Sequence, residues 1–113
     1  MAILHAIPGQ PIDVSPLGER LASSQTVALF KSRDLEVMRL VLAAGKAMPP
    51  HKLGGELTLH CLEGLLEVVV QGQTTELAPG QLVYLPGGAV HAVTAREPSS
   101  ALLTIALHPP VGA

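Results

Sequence analysis

Hydrophobic and polar positions alternate in short runs along most of the chain, and glycine and proline break the runs. Gln25–Lys31 and Leu35–Ala43 read as strands joined by Ser32-Arg33-Asp34, a hairpin by length and composition. In the second of these strands one face carries Leu35, Val37, Arg39 and Val41, and the other carries Glu36, Met38, Leu40 and Leu42. Glu56–Glu63 alternates as well, with Glu56, Thr58 and His60 on one face and Leu57, Leu59 and Cys61 on the other. Leu65–Gln71, Thr74–Leu77, Gln81–Leu85, His91–Ala95 and Ala101–His108 follow, separated by turns rich in glycine, proline and serine. Roughly eight or nine short strands, closely spaced turns and no long helical pattern predict an all-β barrel or sandwich of antiparallel strands.

The ends lack this alternation. Residues 1–23 carry Pro8, Gly9, Pro11, Pro16 and Gly18, and read as an N-terminal arm with a short strand at its start and one helical turn near Gly18–Ala22. Residues 24–108 form the barrel, and residues 109–113 form an extended tail that begins with two prolines. His5 is expected at solvent or an interface, and His108 at the surface.

The least strand-like part of the middle runs from Gly45 to Gly64, where Pro49-Pro50 and Gly54-Gly55 force sharp turns. His51 follows the prolines directly. A second corner, Pro86-Gly87-Gly88, leads to His91, and two histidines delivered by two rigid corners point to one shared site. These stretches resemble the two motifs of the cupin family. The first, G-x5-H-x-H-x3-E-x6-G, is matched at Gly45, His51 and Gly64, with Leu53 in place of its second histidine and Leu57 in place of its glutamate. The second, G-x5-P-x-G-x2-H-x3-N, is matched at Gly80, Pro86, Gly88 and His91, with Ala95 in place of its asparagine. The resemblance covers about residues 35–107 and implies the small antiparallel β-barrel, or double-stranded β-helix, of a single-domain cupin jelly roll.

In that family three histidines and a glutamate hold a divalent metal that orients a substrate or oxygen. Zn, Fe, Mn or Ni needs several converging nitrogen and oxygen ligands with one position left open. Here the matched positions supply only His51 and His91; leucine at 53 and 57 cannot ligate, and it dries the cavity. His60 or Glu56 becomes a third ligand only if a bulge at Gly54-Gly55 turns that face inward, since one extra residue reverses every later side chain. The unbulged register keeps Leu57, Leu59 and Cys61 on the barrel side and suits the apolar pattern better. Without metal, His51 and His91 read as a hydrogen-bonded polar patch. They also suit direct ligand contacts, binding a carboxylate or acting as general acid and base near neutral pH.

Tyr84 and Arg39 are the other polar candidates for the pocket. Arg39 reads as a charge at a sheet edge or paired across strands, or alternatively as an anion contact inside the barrel. No nucleophile–base pair, phosphate loop or CxxC accompanies them. Two functions therefore stand. One is a metal-poor cupin that binds a small organic ligand among His51, Leu53, Leu57, His91, Tyr84 and Arg39, with at most a weakly held divalent metal. The other is a metal-dependent cupin enzyme of dioxygenase or isomerase type with an atypical ligand set.

Composition changes this picture in three places. Hydrophobic residues make up 48% of the 113 residues, yet there is one Phe, one Tyr and no Trp, so the core is aliphatic. So apolar a small domain is expected to cover a sheet face by forming a homodimer. A formal charge of −2 without clusters argues against nucleic-acid and membrane partners. The lone Cys61, the absence of a signal-peptide pattern and the lack of any run of about 20 apolar residues place the chain in a reducing cytoplasm.

Overall fold

The computed structural model describes residues 6–52 and 54–108, and for residues 49–52 the backbone alone. Strands β1 (Val27–Lys31), β2 (Leu35–Leu42), β3 (Ala47–Lys52), β4 (Leu57–Glu63) and β5 (Leu66–Val70) come first in the chain. They are followed by β6 (Gln73–Leu77), β7 (Leu82–Leu85), β8 (Val90–Ala95) and β9 (Ser99–Ala106). Every pairing is antiparallel, and the strands make two facing sheets, ordered β1-β2-β9-β4-β7 and β3-β8-β5-β6. This is the all-β, antiparallel architecture that the alternation predicts, in the jelly-roll form that the resemblance implies. Among the described residues the one helix is a short 3₁₀ turn at Gly18–Ser23. Residues 1–5 with His5, Leu53 and the tail at 109–113 lie outside the described residues.

The core fills the space between the sheets. Leu57, Leu59 and Cys61 of β4 point into it, meeting Leu66 and Val68 of β5 and Val93 of β8. Burying each such leucine contributes roughly 2 kcal/mol relative to exposure. The β4–β9 ladder runs unbroken from Leu57 to Cys61, and its irregularity falls between Cys61 and Glu63. Leu57, Leu59 and Cys61 take the buried side, as the apolar pattern favours, and Glu56, Thr58 and His60 stand away from the interior. Burial pushes the Cys61 thiol up, in keeping with a small buried hydrophobe rather than a reactive thiolate.

Two boundaries differ from expectation. Pro49 and Pro50 lie within β3, although the sequence reads there as a corner. Proline is tolerated because β3 is an edge strand, and its ladder to β8 shifts register between Met48 and His51. Ser99 and Ser100, expected in a turn, are buried at the start of β9. Ser99 Oγ accepts from the Leu65 amide and donates to the Glu97 carbonyl, and the Ser100 hydroxyl donates to Glu63, so both are satisfied. The predicted corners do meet. A Cβ on Gly87 would overlap the Gly54 carbonyl, and one on Gly55 would overlap the Ala106 carbonyl, so only glycine lets these loops pack together.

The arm lies over the outer face of the five-stranded sheet. Its first described residue is held where the Ala6 amide donates to the Leu29 carbonyl at 2.8 Å. Farther on, Arg39 of β2 donates to the carbonyls of Ser15 at 2.8 Å and Asp13 at 3.1 Å. Glu63 of β4 accepts from the amides of Leu17 at 2.8 Å and Gly18 at 3.0 Å. A cation thus takes the arm's carbonyls and a carboxylate takes its amides, so each charge is matched to the backbone dipole that suits it. Burial pulls the Glu63 carboxyl up, but the Ser100 hydroxyl, the two arm amides and the charge of Arg39 outweigh it and hold it below the usual carboxylate range.

Candidate functional site

Strand register sets the geometry of the site. Across the four-stranded sheet, His51, His91, Val70 and Gln73 align in one row, and Met48, Val93, Val68 and Thr75 in the next. Facing them, Leu57 aligns with Ile105 and Leu85, and Leu59 with Leu103 and Val83. The histidine row therefore sits at the end of the sandwich where both glycine corners lie. His91 is buried, 4% exposed, and its Nδ1 lies 3.3 Å from the Ala89 carbonyl oxygen. A carbonyl only accepts, so that contact calls for a proton on Nδ1. His51 is its backbone partner in the β3–β8 ladder.

The other candidates disperse. Leu57 is 3% exposed and packs in the core, where it also borders a shallow hollow beside Glu56, Thr58 and Tyr84 and not the histidine row's cleft. Glu56 is exposed and accepts from the Tyr84 hydroxyl at 3.1 Å, a bond that pushes the Tyr84 phenol up. His60 is half-buried on the outer face, paired in register with Leu82 and Leu102. Neither Glu56 nor His60 turns toward His91, because Leu57, Leu59 and Cys61 take the buried side of the strand and leave Glu56 and His60 the other. Arg39, 6% exposed, is buried under the arm on the outer face and not inside the barrel. Of its alternatives, the anion contact is thereby set aside: its partners are backbone carbonyls. Leu53 lies outside the described residues.

A cleft that the sequence reading did not assemble opens beside the histidine row. Its volume is about 360 Å³, and it lies between the β5–β6 hairpin and β7. Val68, Val70, Val83 and Leu85 wall it, Gln71, Gln73 and Thr75 supply polar groups, and Tyr84 and Pro86 form its lip. Only Tyr84 was among the pocket residues read from the sequence. The signal that points to the others is the pairing of Thr75 with Val68 and of Gln73 with Val70, which needs strand register rather than composition.

A family model described as a cupin domain matches residues 38–106. The chain belongs to the cupin family. No curated protein sequence matches it. Among solved structures it is similar to a conserved protein of unknown function from Streptococcus pyogenes, 24% identical, with 98% of each chain covered and a TM-score of 0.73. A cupin superfamily protein from Desulfitobacterium hafniense is 19% identical, over 94% of this chain and 99% of that one, with a TM-score of 0.76. An RmlC-like cupin from Desulfovibrio desulfuricans is 24% identical, over 88% of this chain and 98% of that one, with a TM-score of 0.73. These likenesses establish the fold.

Metal is a common guest of cupins, but the described residues of this one do not fit the full ligand set that the family motif implies. The glutamate position is a core leucine, and the nearby carboxylate, Glu56, is engaged on the opposite face. No group of three His, Cys, Asp or Glu side chains converges among the described residues. No helix among them is long and apolar enough to cross a membrane.

Proposed function

We propose that this cupin binds a small organic molecule between its sheets, with the histidine row at one end of the site and no resident metal. The observation that carries the reading is the cleft of about 360 Å³, lined by apolar and polar side chains together, whose wall residue Val70 is the ladder neighbour of His91. That volume falls in the range of small-molecule pockets. His51 is the backbone ladder partner of His91, and this reading takes both histidines as ligand contacts. Elemental analysis of the purified protein is expected to find far less than one equivalent of transition metal, while a small-molecule thermal-shift screen finds stabilising ligands lost in His91→Ala. Near-stoichiometric metal dependent on His51 and His91 would overturn it in favour of a metal-dependent enzyme of dioxygenase or isomerase type. That second reading draws on the buried His91, its Nδ1 anchored by a backbone carbonyl as in many metal-binding histidines.

We also propose that two copies pair through the outer face of the five-stranded sheet. Leu82 is 61% and Tyr84 56% exposed there, beside Leu35, Thr58, Thr104 and Ala106, which line a shallow, mainly apolar hollow. The arm fastens over Arg39 and Glu63 and leaves this part of the face to an isologous partner. Sedimentation at micromolar concentration is expected to show a dimer, and Leu82→Glu is expected to shift it to monomer. A wild-type monomer under those conditions contradicts the proposal.

A further inference from the structure

We propose that the cleft between the β5–β6 hairpin and β7 selects a neutral, hydrogen-bonding small molecule through Gln73 and Thr75. This rests on the ligand-binding reading above and names the class of ligand.

The argument begins with the alternation of β6. Leu77 is buried and pairs with Leu66, so it fixes which side of the strand faces the core. Thr75 and Gln73 lie two and four residues before it and share its face. Their ladder partners, Val68 and Val70, are apolar and pack in or against the core. A closed sandwich would place aliphatic side chains at 73 and 75 as well. Instead an amide and a hydroxyl stand there, exposed, in the wall of the cleft. β7 is only four residues long, and the cleft opens along this side of the sandwich. Polar residues that break an otherwise apolar face mark functional positions more often than packing ones.

The absence of charge decides the ligand class. The residues lining the cleft are Val68, Val70, Val83, Leu85, Pro86, Gln71, Gln73, Thr75 and Tyr84, none of which carries a formal charge at neutral pH. The neighbouring charges are engaged by other side chains. Glu56 is bonded to the Tyr84 hydroxyl, and Glu67 lies 2.9 Å and Glu76 3.8 Å from Arg96. A carboxylate or ammonium entering the cleft sheds water and meets no counter-charge among the nine residues that line it, of which His91 is not one. An amide, alcohol or ketone sheds less and finds both a donor and an acceptor, because the Gln73 amide and the Thr75 hydroxyl each supply both.

Four probes of matched shape test this on the full-length protein at pH 7: benzamide, benzyl alcohol, benzoate and benzylamine, followed by chemical-shift titration. Benzamide and benzyl alcohol are expected to perturb residues 68–75 and 83–86, with dissociation constants about tenfold or more below those of the charged pair. Gln73→Leu is expected to abolish the preference for benzamide, and Gln73→Lys to move it toward benzoate. Equal or tighter binding of benzoate or benzylamine to the wild type overturns the selectivity and leaves ligand binding standing. Unchanged selectivity in Gln73→Leu overturns the role of Gln73. No perturbation of the cleft by any probe overturns the ligand-binding reading and this inference together.

Discussion

Leu57→Glu is expected to lower stability by about 4 kcal/mol, the lost burial of a leucine added to the cost of a carboxyl with no partner in the core. In a domain of this size that corresponds to a melting temperature lower by roughly 15 °C or more. Leu57 stands between Ile105 and Leu85 at the histidine end of the sandwich, so the new carboxylate would reach the site rather than solvent. Adding Leu53→His to the same chain fills both motif positions that leucine now occupies. The double variant is expected to recover stability only with a divalent metal, by about 2.7 kcal/mol when the free ion exceeds its dissociation constant a hundredfold. Thermal unfolding with and without zinc, together with equilibrium dialysis, measures both effects. A double variant that takes up no metal would show that the frame around His51 and His91 is not that of a metal centre.

Arg39→Ala carries the second large effect. The guanidinium is 6% exposed and supplies donors to two arm carbonyls, so its removal strands the Asp13 and Ser15 carbonyls and takes a cation from beside Glu63. A loss of about 3 kcal/mol is expected, from hydrogen bonds to a charged group and the packing of its stem. Arg39→Lys restores only part, because an ammonium cannot span two carbonyls as a planar fork does. Hydrogen exchange should show the amides of Leu17 and Gly18 losing protection in Arg39→Ala, and unchanged protection there would contradict the clasp. Acid acts on the same contact from the other side. The folded Glu63 carboxyl titrates below its unfolded value, so its contribution is present above about pH 4.3 and is lost as pH falls through the lower folded value. Asp13, held low chiefly by Ser15, shifts in the same direction but is fully exposed. Glu63→Gln should remove most of the acid sensitivity of arm protection.

How much of this was legible in the chain depends on how local each cause is. The strands were, because alternation such as Leu57, Leu59 and Cys61 against Thr58 and His60 records which face meets the core. That same parity already spoke against Glu56 and His60 as ligands. β3 was obscured by Pro49 and Pro50, which argue against a strand unless one knows that it lies at an edge. Arg39 was ambiguous for another reason. Its partners are carbonyls 24 and 26 residues away in an arm without periodicity, and backbone acceptors leave no trace in side-chain pattern. The cleft was least legible. Gln73, Thr74, Thr75 and Glu76 are all polar, so only pairing with β5 reveals which two face inward.

The two prolines of β3 have a consequence beyond their position. Amides along a strand point alternately to one neighbour and the other, so adjacent prolines withhold a donor from each side. On one side the loss coincides with the register shift toward β8. On the other it leaves the open edge of the sheet with a gap in the row of donors that a stray strand would need for templating. A chain that is 48% hydrophobic is prone to aggregate through just such an edge. Replacing these prolines would repair the ladder and, by the same act, expose the protein to fibril-like association.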